Sequence, residues 1–222
     1  MSYLSMQEAG PNTTAFKPSI YEHIVSGGLS EEMLQHKVYH FSGSDLDSEW
    51  TFTDHLGTGS GAMNDAVDGG YTITSDSTTF DNSSINFNDI NHYSHNSSVI
   101  ISSFKRDGTD SWTQTMLVEQ LASLSDTGIQ ILDDTDNTYK QMNTRLNGSG
   151  TAVDSSVVID TLMTTYKLEL KASSCVAHIN GTLEIIKTTD LPDVALQPVF
   201  RVGTRTTAAK TGSIRYMEAY NT

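Results

Sequence analysis

One cysteine, Cys175, occurs in 222 residues, so no intrachain disulfide can staple the fold. That is the usage expected of a chain that folds in a reducing compartment. No stretch approaches the roughly 18 consecutive apolar residues of a membrane helix. The opening "MSYLSMQEAGPNTT" has neither the basic start nor the apolar run of an export signal. Synthesis in the cytoplasm, without a signal peptide and without a membrane partner, is the expectation. Basic residues are scarce: 13 Lys and Arg stand against 27 Asp and Glu, a formal charge of −14. Such a surface repels a phosphate backbone. Arg201, Arg205, Lys210 and Arg215 are scattered, so no basic patch offsets the repulsion and nucleic acid is not an expected partner. Also missing are a Gly-x-Ser-x-Gly elbow and a Gly-rich phosphate loop. No cofactor is implied.

What is present divides into two parts. Residues 1–28 show neither helical nor strand periodicity, and their apolar residues Leu4, Phe16, Ile20, Tyr21 and Ile24 are irregularly spaced between Pro11, Pro18 and the Gly27-Gly28 pair. This predicts an extended arm that meets a partner surface. "LSEEMLQ", residues 29–35, predicts one or two helical turns with Ser30 as N-cap, leaving residues 30–36 as a short spacer. The predicted division is an arm with a short helix over 1–37 and a single β domain over 38–222. From Val38 the chain alternates short β segments with Gly, Asn, Asp and Ser, including "VYHFS", "YTITS", "SINFN", "SSVIISSF" and "TYKLELK". About a dozen strands with no strong amphipathic helix between them predict an antiparallel sandwich or barrel. "TQTMLVEQLASL", 113–124, fits a strand or a short helix equally well. Asn180-Gly181 between "SCVAHI" and "TLEIIKTT" marks a hairpin. Period 2 then puts Cys175, Ala177 and Ile179 on one face, with Leu183 and Ile185 opposite them. Cys175 reads as a small buried hydrophobe, not a nucleophile.

The run "TYKLELKASSCVAHINGTLEIIKTTDLP", followed by "LQPVFRVGTRT" and "GSIRYMEAY", resembles the concanavalin A-like, laminin-G-like jelly rolls. The start, "DLDSEWTF" and "GTGSGAMNDAVDGGYTITS", is similar to the first strands of that group. The resemblance covers about residues 38–222 and implies an all-β, antiparallel jelly-roll sandwich. The superfamily holds lectins, glycanases, polysaccharide lyases and virion proteins, so function must be sought in sites.

Glycanases of the group carry a Glu-x-Asp-x-Glu array on a strand of the concave sheet. Asp45, Asp47 and Glu49 alternate just before Trp50. The expectation here is the solvated face of a first strand with Trp50 as a core anchor, because carboxyls at positions i and i+4 of a flat strand do not converge on one sugar without a bulge or an inward lean. Asp133, Asp134 and Asp136, with Asn137, are hard oxygen ligands and weak calcium candidates, although the Gly and distal Glu of a calcium loop are absent. A hairpin tip of turn-forming residues explains them. His92 and His95 near Asp89 read as loop histidines. Trp112, Tyr93 and Tyr139 are candidates for stacking on sugar rings if they share a surface. The Arg-bearing strand, Gln-x-His pair and catalytic Tyr of the lyase members are not found.

These readings lead to the expectation of a non-enzymatic structural protein of a tailed-virus particle (decoration, fibre or tail). It would be a homo-oligomer located in the virion and anchored to capsid or other virion proteins through its arm. The alternative is a lectin-like module that binds glycans in host attachment. A glycan-cleaving enzyme ranks third.

Overall fold

The computed structural model describes residues 36–55, 57–64, 70–88, 92–119 and 127–222. The arm residues Leu4, Phe16, Ile20, Tyr21 and Ile24, and all but the last residue of the helix expected over 30–36, lie outside the described residues. Fifteen strands, β1 to β15, make two sheets, and no helix occurs among the described residues. The eight-stranded sheet runs β13 (Thr182–Lys187), β12 (Ser174–Ile179), β11 (Thr164–Lys171), β6 (Ser97–Asp107), β15 (Thr211–Asn221), β4 (Tyr71–Thr74) and β3 (Ser60–Met63), with β1 (His36–His40) also paired to β15. The seven-stranded sheet runs β10 (Ser149–Val158), β9 (Tyr139–Leu146), β8 (Gly128–Asp134), β7 (Ser111–Val118), β14 (Gln197–Thr204), β5 (Asn82–Asn86) and β2 (Thr51–Asp54). All ladders are antiparallel.

Alternation explains the core. Tyr166, Leu168 and Leu170 of β11 point inward with Ile100 and Phe104 of β6, and with Met217 and Ala219 of β15. They meet Leu117 of β7, Ile129 and Ile131 of β8, Met142 of β9, and Phe200 and Val202 of β14. Removing these side chains from water drives the two sheets together. At one end Trp50 packs its ring against Tyr39, Phe41, Phe87 and Phe200, with centroids 5.3, 5.5, 5.4 and 5.8 Å away. Its burial matches the anchor role expected for it.

Several local expectations change. Strand β1 includes His36 and Lys37, which pair with Tyr220 and Ala219. "TQTMLV" belongs to strand β7, and residues 120–126 of the ambiguous segment lie outside the described residues. The Asn180-Gly181 turn forms, with φ of 51° and 82°, the left-handed pair that a tight two-residue hairpin turn requires. Cys175, Ala177 and Ile179 are buried as expected, but Leu183 is 51% exposed. A register shift between Ala177 and His178 pairs Leu183 with His178 instead, on the outward face. A bulge adds one residue to a strand and reverses the faces beyond it.

Candidate functional site

The core residues of the seven-stranded sheet are Leu117, Ile129, Ile131, Met142, Phe200 and Val202, so the residues between them point to the outer face. The register gives three cross-strand rows there. One runs Thr53, Ser84, Arg201, Gln114, Leu132, Gln141 and Asp154. The next runs Thr51, Asn86, Val199, Met116, Gln130, Asn143 and Ala152. The third runs Gln197, Val118, Gly128, Arg145 and Gly150. Met116, Val118 and Val199 form a small apolar cluster separate from the main core. Amides surround it.

Two amide oxygens on this face, Gln114 Oε1 and Asn143 Oδ1, are buried and have no hydrogen-bond partner among the described residues. Gln114 and Asn143 are otherwise partly exposed, so their amides edge the outer face. A shallow depression lined by Val118, Gly128, Gln130, Asn143 and Arg145 opens beside the second of them. Gly128 is needed there: a Cβ would stand 2.6 Å from the Leu117 carbonyl oxygen and 2.7 Å from Val118 Cγ1.

Arg201 stands in the first row between Ser84 and Gln114. Its Nε donates to Asn82 Oδ1 at 2.6 Å, and its guanidinium lies 5.2 Å from the centroid of the Trp112 ring, a distance at which the cation is attracted to the ring face. Burial lowers its pKa to about 10, with the charge of Asp81 partly opposing; it stays charged at neutral pH. His55 Nε2 lies 3.0 Å from Ser84 Oγ, and burial followed by the charge of Arg201 lowers the His55 pKa. The imidazole is therefore neutral at pH 7.

The residues singled out from sequence are dispersed. Asp45, Asp47 and Glu49 precede β2 in a bent loop and do not line a strand. Asp45 accepts from Ser44 Oγ at 2.8 Å, Asp47 caps the Glu49 amide at 3.0 Å, and Glu49 accepts from Lys37 Nζ at 2.5 Å and from the Tyr39 hydroxyl. Asp133 points between the sheets, where it accepts from Arg106 Nε at 3.2 Å and from Lys140 Nζ, all three being buried. Asp134 and Asp136 both pair with Arg205. Protein cations thus meet all three carboxylates. His92 packs edge-on against Phe87 at 5.4 Å, and Asp89 lies outside the described residues. Tyr93 is fully buried, whereas Trp112 and Tyr139 alternate with inward residues and share the outer face. Sequence reasoning missed Arg201 and the amides. The signal was the alternation in "QPVFRVGT", which sends Gln197, Val199, Arg201 and Gly203 outward.

The outward positions of β8 are Gly128, Gln130, Leu132 and Asp134, and among the described residues no strand of this sheet carries Glu-x-Asp-x-Glu.

No family model and no curated protein matches the sequence. Solved structures do match. A prokaryotic β-1,3-1,4-glucanase (lichenase) derived from a mouse hindgut metagenome aligns with a TM-score of 0.64 at 11% identity, over 84% of this chain and 99% of that one. The Bacillus licheniformis β-glucanase aligns at 0.61 and 10% identity, over 84% and 98%. The Emp47p carbohydrate recognition domain aligns at 0.57 and 12% identity, over 88% and 98%. A Crh5 transglycosylase is also similar, at 0.60 and 14%. The expectation of a non-enzymatic virion structural protein is corrected by these matches, which are to glucanases, a transglycosylase and a carbohydrate recognition domain. The physical reason is that composition and chain pattern do not say which side chains a sheet brings together, and function lies in such sites. The architecture itself is an all-β, antiparallel jelly-roll sandwich.

Proposed function

We propose that the chain is a glycan-active sandwich that takes a carbohydrate chain across the outer face of its seven-stranded sheet. The observation carrying this reading is a face on which the partly exposed Gln114, Gln141, Asn143 and Arg201, with Gln130, surround the Met116–Val118–Val199 cluster. Side-chain amides and a guanidinium hydrogen-bond sugar hydroxyls, and the apolar faces of sugar rings suit a patch of aliphatic side chains. The similar structures, of glucanases, a transglycosylase and a carbohydrate recognition domain, have glycans in common and support the same reading.

The test is titration of the full chain with β-glucan oligosaccharides and a wider glycan panel, followed by isothermal calorimetry. Gln114→Ala and Asn143→Ala should each weaken binding by about tenfold, the worth of one hydrogen bond to the ligand. A reducing-end assay on the same mixtures reads whether the held chain is also cut. Retention of no glycan in the panel, or unchanged affinity in both variants, would remove this face as the site.

A further inference from the structure

The ligand's chemical class follows from Arg201, on the reading that this face binds glycan. A guanidinium has five N–H donors in a planar fork. In Arg201 only Nε has an acceptor, Asn82 Oδ1 at 2.6 Å. Among the described residues neither Nη atom has a hydrogen-bond acceptor, and no carboxylate lies within ion-pair distance of the group. Arg205 pairs with Asp134 and Asp136, and Arg106 with Asp133; the carboxylate whose charge Arg201 feels is Asp81, which is buried, accepts from the Asp76 amide at 2.8 Å and lies beyond ion-pair distance.

The unmatched fork is also held in place. Trp112 supports its plane at 5.2 Å, and Gly203 makes room for that ring, since a Cβ there would stand 2.1 Å from Trp112 Cζ2. Asn82, itself buried, orients the Nε edge. On one side in the row stands Gln114, whose Oε1 is unpartnered; on the other stands Ser84, hydrogen-bonded to His55. A fixed, partly buried fork whose Nη groups have no acceptor among the described residues matches a planar carboxylate, which takes two parallel N–H donors.

We propose that Arg201 receives the carboxylate of a uronic acid residue, so that the glycan taken by this face is a uronate-bearing one. Arg201 is then the specificity-determining residue of the face, and Trp112, Asn82 and Gly203 position it.

The experiment compares oligosaccharides of galacturonate, of mannuronate and guluronate, and of glucuronate-substituted xylan with the same oligosaccharides after carboxyl reduction, which leaves the ring and removes the charge. Neutral β-glucan oligosaccharides form a third arm. At least one uronate ligand should bind the full chain, lose about tenfold or more on carboxyl reduction, and lose as much with Arg201→Gln. Arg201→Lys, which keeps the charge without the fork, should recover less than half of that loss in free energy. The carboxyl-reduced arm needs no variant and holds even if Arg201→Gln fails to fold. Binding of neutral glucans but of no uronate would overturn this inference and leave the glycan face standing. Binding of neither would overturn both. Equal affinity for a uronate ligand and its reduced form would also overturn it.

Discussion

At the scale of single residues, the interior contains one charged group whose removal should be costly. Asp133 serves Arg106 and Lys140 together, between the sheets, and all three are buried. Taking Asp133 away leaves Arg106 with no carboxylate and Lys140 with only the part-exposed Asp160 at 3.3 Å, and uncompensated buried charge costs about 3–5 kcal/mol. Asp133→Asn should therefore lower the unfolding free energy by about that amount, read from urea unfolding followed by tryptophan fluorescence. Asp136→Asn is the contrast. Asp136 is 65% exposed beside Arg205, and a surface pair contributes about 1 kcal/mol at most. If both variants cost alike, the Asp133 network is not desolvated as described. The same pair separates the two readings of this segment. Added calcium should leave the unfolding midpoint of the wild type unmoved, because the carboxylates already face Arg106, Lys140 and Arg205.

At the scale of strands, glycine placement couples β14 to β7. Gly203 sits across from Trp112, and its missing Cβ is the space that the indole occupies. Gly203→Ala should displace Trp112 and with it the support under Arg201. Glycan affinity should fall as far as in Arg201→Gln, and the tryptophan emission should shift on mutation; an unchanged affinity would show that the indole does not position the guanidinium. Strands of this kind differ in how readable they were. β11 was legible because Tyr166, Leu168 and Leu170 alternate with Thr165, Lys167 and Glu169 in a single short run. The Asn180-Gly181 turn was legible because its backbone demand is local. The register shift at Ala177 and His178 was not, since nothing within the hairpin announces it. Nor was the site. Arg201 meets Asn82 from 119 positions away, and such a neighbour exists only once β14 lies between β7 and β5. In the chain, Arg201 is an isolated cation; in the sheet, it stands in a polar row between Ser84 and Gln114. Asp45, Asp47 and Glu49 show the converse, since an alternation typical of strands belongs to a loop whose carboxylates are taken up by Ser44, the Glu49 amide, Lys37 and Tyr39.

For the whole molecule, charge and site oppose each other. The formal charge is −14, so a uronate chain approaches against long-range repulsion and is held by one short-range contact at Arg201. Salt acts differently on the two. The Debye length shrinks from about 30 Å at 0.01 M to about 8 Å at 0.15 M, which screens the repulsion felt during approach. The contact at the half-buried fork is screened far less. The association rate constant for a uronate oligosaccharide should thus rise as salt goes from about 10 mM to about 150 mM, while the dissociation rate changes little. Affinity for the uronate should increase over that range, and affinity for a neutral β-glucan should stay flat. Stopped-flow tryptophan fluorescence at several salt concentrations measures both rates. A basic patch would give the opposite slope, with affinity falling as salt is added. A falling slope would therefore place the anion on a cationic surface elsewhere in the chain and remove Arg201 as its receiver.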